Sequence, residues 1–584
     1  MTDTNITLTP SGGSGPITVT ASAALFDNTM IGRMIAIRDE APRRVGGGTY
    51  GGNDVIHTWD GRADATRRLY RVITPGTAAV ANWSGTTPNY DMDTPVSEAP
   101  GVRDGTVVLR YIGKGRAAWS WGIISAFTST TAVTMQVSTE QNMVTTSASK
   151  NWRLGAWGGS LGWPRCMVIF QQRTVWCGNF AQPSTIWASQ TGDFYRMAPT
   201  EVDGTVTDDM GITATLDASE VATILWAQQT TRGVILGTGS GIFLFGAASG
   251  TDRALSPRNI EARRQGRIGS DDGIEGRAIE NAVLYVQRGR KRVREFVFDF
   301  GQDTYQANDL SVLSEHLLAP GVSAWAYQEN PDGVLWIVRA DGKLLSLTYD
   351  REQQMRAWCL HDLGGVVEAI DVVPDPSTFA DDVYVVVRRV IGGATKRYVE
   401  VIRAPVREDV AGAAAFFHMD SGLTYSGTPI TRVTGLSHLE GQEVTIWADG
   451  AQRTNKVVAS GQIDIGTPAA SVVHVGLSFS SRIVTLPIDA NASGGPGQGR
   501  PKRVSEAVIR LQSTSTFKMM ASVEEVIGFR TPGMLMDTAP PLFTGVRKVN
   551  PSNGWDEEGQ IALESVGAAP LTVLSIAQEV TVSG

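Results

Sequence analysis

The feature that most constrains this chain is an internal repeat. Five segments place a valine before two large apolar or thiol-bearing residues: Thr174-Val175-Trp176-Cys177, Gly233-Val234-Ile235-Leu236, Ala282-Val283-Leu284-Tyr285, Gly333-Val334-Leu335-Trp336 and Asp382-Val383-Tyr384-Val385. Their valines are 59, 49, 51 and 49 residues apart. A second β-rich run follows each one, at 185–187, 242–245, 293–298, 344–347 and 396–399. Between the runs lie turn formers: Gly237-Thr238-Gly239-Ser240-Gly241, Arg288-Gly289, Ala340-Asp341-Gly342 and Ile391-Gly392-Gly393. Upstream runs at 167–170, 223–226 and 323–326 add a further strand. Three or four antiparallel strands recurring about every 50 residues mark β-propeller blades. One blade cannot bury both of its faces, whereas stacked blades can. The competing arrangement is a set of unrelated hairpins in a sandwich. The expected fold is therefore all-β, a propeller of about five or six blades with additional β platform domains. A sixth blade would take strands from outside the repeat.

The flanks read as smaller β modules. Residues 1–150 form N-terminal platform-like modules, with strands at 17–20, 34–37, 107–112 and 132–137 and long loops at 46–52 and 86–100. The propeller domain is placed at 151–405 and a C-terminal platform domain at 406–584. After Pro405 a small apolar stretch at 411–416 precedes strands at 444–447, 472–475, 508–511 and 571–576. Ala448-Asp449-Gly450 reads as a turn, and Gly494 to Gly499, followed by Arg500-Pro501-Lys502-Arg503, as a mobile loop.

Composition narrows the chemistry. With 42% hydrophobic and 19% charged residues among 584, the chain can bury large cores, and 64 glycines suit many turns. A net charge of −8 argues against coating nucleic acid by bulk charge. No apolar run reaches the roughly 18 residues of a membrane span, and the first residues lack the blocks of a secretory signal. Three cysteines make no disulfide framework, so free thiols and a reducing site of synthesis are expected. Cys166 and Cys177 flank one hairpin, Cys359 stands alone, and His57, His316, His361, His418, His438 and His474 are scattered. No zinc spacing results, and neither metal nor cofactor is expected. The glycine run 237–241 lacks phosphate-loop spacing and reads as a hairpin turn. A GxSxG nucleophile elbow in a strand-to-helix setting is not found. Asp208-Asp209, Asp271-Asp272 and Asp381-Asp382 read as acidic turns. A glycosidase would need two carboxylates about 5–10 Å apart, and the default is that these are surface residues of a non-enzyme.

One basic run stands out. Arg288, Arg290, Lys291, Arg292 and Arg294 fall within seven residues, with Arg258, Arg263, Arg264, Arg267 and Arg277 upstream. Such a run can face a polyanion, pair with a neighbouring subunit or point into solvent. The subunit-pairing and solvated readings are preferred here over DNA contact.

A series of motifs then carries a family resemblance. It begins with Leu161-Gly162-Trp163-Pro164-Arg165, Ile169-Phe170-Gln171-Gln172-Arg173 and Gln182-Pro183-Ser184-Thr185-Ile186-Trp187-Ala188-Ser189-Gln190-Thr191-Gly192-Asp193-Phe194. It continues through Leu335-Trp336-Ile337-Val338-Arg339-Ala340-Asp341-Gly342, Leu347-Thr348-Tyr349-Asp350-Arg351-Glu352-Gln353-Gln354 with Ala357-Trp358, and Arg397-Tyr398-Val399-Glu400. Gly435-Leu436-Ser437-His438-Leu439-Glu440-Gly441-Gln442-Glu443-Val444 and Pro541-Leu542-Phe543-Thr544-Gly545 complete it. From about Ile17 onward the chain resembles the tail nozzle proteins of short-tailed bacteriophages, the tail tubular protein B type. The resemblance implies a propeller with β platforms, assembled as a homohexameric ring. That ring extends the tail channel below adaptor proteins, is surrounded by tail fibres or tailspikes, and passes genomic DNA. It also implies a virion-tail location after synthesis in the host cytoplasm. Family members carry a longer segment before the equivalent of Ile17, so the upstream contacts are expected to differ here. The alternative function is a propeller-based glycan-binding or glycan-cleaving tail protein. Two further expectations follow: Trp336 and Val385 are buried in neighbouring blades, and the ring's bore is net negative or neutral.

Overall fold

The computed structural model describes residues 5–59, 67–80, 102–201, 204–218, 221–248, 254–403, 412–489, 499–520, 524–535, 538–551 and 554–583. The expected loops at 86–100 and 494–498, with Pro405 and Ala411, lie outside these residues. The chain is all-β, and its single α-helix among the described residues is the one-turn Glu315–Leu318. It divides into two compact units, Met1–Leu313 and Ser314–Gly584.

The first unit opens on a six-stranded antiparallel sheet, in the order Leu8–Pro10, Pro16–Ala21, Ala132–Val137, Ala117–Ser129, Met34–Glu40 and Trp152–Leu154. Its period-two pattern is visible in Pro16–Ala21, where exposed and buried residues alternate. The buried face carries Leu8, Val19, Ile35, Ile37, Val133 and Trp152, and the Trp152 indole N–H donates to the Ile6 carbonyl at 2.8 Å. A second sheet pairs Val55–Trp59, Arg67–Thr74, Val107–Lys114 and Val102–Asp104. The stretch 46–52 is mostly loop, interrupted by Thr49–Tyr50, which pairs with Gly76–Thr77.

Propeller blades follow, each an up-and-down sheet in sequence order. The first contains Cys166–Phe170, Arg173–Cys177, Thr185–Ala188 and Ile212–Thr215. Ile224–Thr230, Gly233–Thr238, Gly241–Gly246 and Glu261–Gly266 make the second. The third comprises Arg277–Ile279, Ala282–Val286, Val293–Asp299 and Thr304–Asp309. In the second unit, a fourth contains Val322–Gln328, Val334–Arg339, Leu344–Asp350 and Met355–His361. The fifth has three strands, Val366–Pro374, Asp381–Ile391 and Ala394–Ile402. Every repeated valine sits on the second strand of its blade, as the spacing predicts.

Stacking supplies the core. Phe170, Val175 and Ile186 of the first blade pack with Ala227, Leu236 and Phe243 of the second. Trp226, Ile235 and Ile242 meet Val283, Tyr285 and Phe296 of the third. In the second unit Val338 and Leu344 meet Val367, Val385 and Val387. Each such buried side chain contributes roughly 1.5–3 kcal/mol.

Two expectations need correction. Val385 is buried, but Trp336 is half-buried at the edge of the same cluster. Its indole N–H needs a partner and donates to Gln328 Oε1 at 2.9 Å, which fixes the ring's orientation. Asp381 and Asp382 are buried strand residues and not a surface turn. The Asp381 carboxylate accepts the backbone N–H groups of Glu329 and Asn330 at 2.8 and 2.9 Å, tying the fifth blade to the first hairpin of the fourth.

Downstream, Asp420–Ile430, Ala470–Leu477, Glu443–Ala448 and Ala451–Val457 form one sheet. A second orders Arg482–Val484, Ala562–Ser565, Thr516–Met520 and Glu524–Gly528. A third flanks Lys502–Thr514 with Phe543–Val549 and Thr572–Val582. The predicted strands at 444–447, 472–475, 508–511 and most of 571–576 all fall within these elements.

Candidate functional site

In each four-stranded blade the turn joining strands two and three, and the linker entering the next blade, sit at the same end of the sheet. In the first unit these segments touch. The Ala181 N–H donates to Leu161 O at 3.1 Å and the Ile224 N–H to Pro183 O at 3.0 Å. The Ser270 N–H donates to Thr238 O at 2.8 Å and the Arg288 N–H to Gly269 O at 3.1 Å. The Arg165 guanidinium also pairs with Asp272, joining the entry to the first blade with the linker between the second and third. Loops held by a rigid scaffold in this way are where binding residues concentrate.

Between the second and third blades these loops border an open cleft of about 850 Å³. Its walls are the Gly239-Ser240 turn, the linker around Ser270 and the Gln287-Arg288 turn. The glycine run 237–241 is indeed a hairpin turn, held by Thr238 Oγ1, which accepts the Gly241 N–H at 3.1 Å. Beneath Ser270 lies the buried Trp226, whose indole N–H donates to Ser270 Oγ at 2.7 Å. Gly237 and Gly276 make room for that ring: a Cβ on them would fall 2.0 and 2.9 Å from indole carbons.

The basic run splits at this point. Arg294 pairs with Asp309 at 3.7 Å and donates to Gln287 Oε1 at 2.7 Å, while Arg292 reaches Asp309 at 2.5 Å. Hydrogen bonds from Ser311 and Arg292 hold the Asp309 carboxyl below its usual range, against the opposing effect of its desolvation. Arg290 donates to Asp271 Oδ1 and to the Asp272 carbonyl, both at 2.8 Å. Arg288 and Lys291 are exposed and make no ion pair among the described residues. Upstream, Arg263 pairs with Glu261, Arg264 lies over the Phe243 ring and Arg258 donates to Val206 O. Arg267 is exposed, has no ion-pair partner among the described residues, and lines the cleft together with Arg288.

Near the same loops are apolar side chains that sequence alone does not mark as functional. Phe180 is 88% exposed, Trp163 64% and Val221, on the cleft wall, 79%. Phe180 packs on Gly162, the residue before Trp163, where a Cβ would meet Phe180 Cβ at 3.0 Å, and the Trp163 ring itself reaches toward Gly32. Phe180 could have been noticed as an aromatic in the Asn179-Phe180-Ala181-Gln182 turn; Ser270 and Gln287 carry no sequence signal of their own. The site thus offers two unpaired guanidiniums, hydroxyl and amide groups, carboxylates already held by arginines, and nearby aromatic surface.

Other titratable groups serve packing. Cys166 and Cys177 are directly opposite in the first hairpin as free thiols; the Cys166 contact and burial push the Cys177 thiol up. His474 bonds Thr424 and the Ala414 carbonyl, and His361 bonds Ser346 at 2.7 Å; burial lowers the pKa of both. Among the described residues, no three His, Cys, Asp or Glu side chains gather in a metal-binding group, and no helix is long and apolar enough to cross a membrane.

No protein-family model matches the chain, and no curated protein does. Solved structures do align with it. The periplasmic gluconolactonase of Pseudomonas aeruginosa is 12% identical, with a TM-score of 0.26, over 68% of this chain and 100% of that one. An auxiliary nutrient binding protein from Bacteroides thetaiotaomicron is 9% identical, TM-score 0.24, over 68% and 86%. The exo-β-1,3-galactanase of Phanerochaete chrysosporium is 10% identical, TM-score 0.22, over 71% and 94%.

Proposed function

We propose that this chain is a structural subunit of a phage tail nozzle, assembling as a homohexameric ring through which genomic DNA leaves the virion. The ring would meet tail adaptor proteins above and fibres or tailspikes around it. One observation carries this reading: the order of modules. N-terminal β sheets, a run of propeller blades and C-terminal β sheets follow one another, and the resemblance implies a propeller combined with β platforms. Electron microscopy of tails labelled through a tag on this chain is the test. Labelled six-fold rings with an open axial channel are expected. Label on a peripheral monomer, or away from the tail, overturns the reading.

A second reading has its own observation. The open cleft between the second and third blades, with exposed aromatics nearby, has the makeup of a saccharide-binding surface. On this reading the propeller is a glycan-binding tail protein. Binding of purified chain to immobilised oligosaccharides, abolished by Trp163→Ala with Phe180→Ala, tests it. Undiminished binding by the double variant removes these aromatics from the function.

A further inference from the structure

We propose that the cleft between the second and third blades binds a carboxylate-bearing saccharide of the hexuronate type. The inference deepens the saccharide reading above and does not depend on ring formation.

Four charged side chains line this cleft: Arg267, Arg288, Asp271 and Asp272. Both acids are already engaged, Asp271 by Arg290 and Asp272 by Arg165. Both cations are exposed and have no ion-pair partner among the described residues. The cleft therefore has two guanidiniums left over, and a planar carboxylate is the group that guanidinium donors engage in a bidentate pair.

The remaining surface selects the rest of the ligand. Ser240 and Gln287 supply a hydroxyl and an amide, and the rim carboxylates retain acceptor positions beside their arginines. A ligand matching this set donates hydrogen bonds as well as accepting them. Sugar hydroxyls do both. A phosphodiester backbone brings acceptors alone and leaves the acceptor positions of Asp271 and Asp272 without a donor. The exposed faces of Trp163 and Phe180 give apolar platforms on neighbouring loops, suited to the C–H face of a sugar ring. A volume of about 850 Å³ is within the range of ligand clefts and admits a short oligosaccharide, not a duplex.

The foundation is rigid. Trp226 is buried beneath Ser270 and bonded to it, and Gly269 is packed so closely that a Cβ there would lie 2.1 Å from Gly239 O. The two walls are therefore fixed before a ligand arrives, which reduces the ordering cost of binding.

The test uses the full chain and calorimetric titration with four probes: tetramers of galacturonic acid and glucuronic acid, the methyl-esterified galacturonate tetramer, and a 20-base-pair DNA duplex. At least one acid tetramer is expected to bind. Its affinity should fall about tenfold or more in Arg288→Gln and in Arg267→Gln, each of which should keep the parent unfolding temperature. The ester should bind at least tenfold more weakly than its acid, an arm that needs no variant. Equal binding of acid and ester overturns the carboxylate assignment while leaving the saccharide reading standing. Binding of no tetramer overturns the hexuronate assignment, and the saccharide reading falls with it only if the immobilised oligosaccharides are not bound either. Duplex binding that is lost in the same variants, with no tetramer bound, assigns the cleft to nucleic acid instead.

Discussion

At the scale of single residues, one buried and one half-buried charge bear on stability in opposite ways. Arg173 is 1% exposed and bonds to no carboxylate among the described residues. Instead its guanidinium donates to the carbonyls of Ser189, Met210, Asp208 and Leu255 at 2.5–3.3 Å. Burial lowers its pKa, with Asp209 opposing. One side chain thus satisfies backbone acceptors from the long insertion of the first blade and from the second. Arg173→Met would keep the aliphatic stem and leave those carbonyls unpaired. A loss of about 3–5 kcal/mol is expected by denaturant unfolding; a loss below about 1 kcal/mol would mean that water replaces the donors. Asp420 is the opposite case. Burial, reinforced by Glu400 and Asp362 and opposed by Arg389, pushes its carboxyl up to about 6. The folded state therefore holds this proton more tightly than the unfolded chain does. Its contribution is fully favourable below about pH 4 and is lost as pH rises through about 6. Asp420→Asn should stabilise the protein at pH 7.5 by on the order of 1–2 kcal/mol, with no gain at pH 3.5. Thermal melts of both proteins across that window provide the check, and a gain independent of pH would count against the titration.

At the scale of elements, the blade interface between the fourth and fifth sheets is the sharpest test of the repeat. Val385 and Trp336 approach one cluster from opposite sheets. Val385→Ala should cost about 2 kcal/mol and Trp336→Ala about 3 kcal/mol, and the double variant should depart from the sum because the two share neighbours. Strict additivity would show that the two positions do not share a core. The same sheets show what was legible in the sequence. Second and third strands are covered on both faces by neighbouring strands and blades, so they read as continuous apolar runs such as Gly233-Val234-Ile235-Leu236. The fourth strands carry no such run. Glu261-Ala262-Arg263-Arg264-Gln265-Gly266 and Thr304-Tyr305-Gln306-Ala307-Asn308-Asp309 are outermost, largely half-buried, and carry the polar residues of an edge. The first strand of the third blade, Arg277-Ala278-Ile279, is too short to show a period. Of the cleft, only charge density is legible: Arg288 falls in the basic run and Arg267 is one of the five arginines upstream of it. Which of the clustered cations lack partners depends on where Asp271, Asp272 and Asp309 fold back, and no local pattern encodes that.

At the scale of the whole molecule, the question is how such a chain would treat DNA. A channel that ejects a polyanion must not retain it, and retention grows with every phosphate neutralised through counterion release. The chain carries −8, so six copies would carry 6 × −8 = −48. Its densest basic run is largely discharged within the fold: Arg290, Arg292 and Arg294 are committed to Asp271 and Asp309. At the cleft and its adjoining turn that leaves Arg267, Arg288 and Lys291 without ion-pair partners among the described residues. If these three were the only cations to meet phosphate, the salt slope of duplex binding would be at most about −3 on a log–log scale, at roughly −0.9 per contact. We therefore predict weak, shallow binding of a 30-base-pair duplex at about 0.15 M salt, where charges farther apart than about 8 Å are screened from one another. Fluorescence anisotropy across a salt series reads both quantities. A slope of about −5 or steeper would require phosphate contacts from cations beyond these three. It would point to a surface that grips DNA and would contradict a net negative or neutral bore.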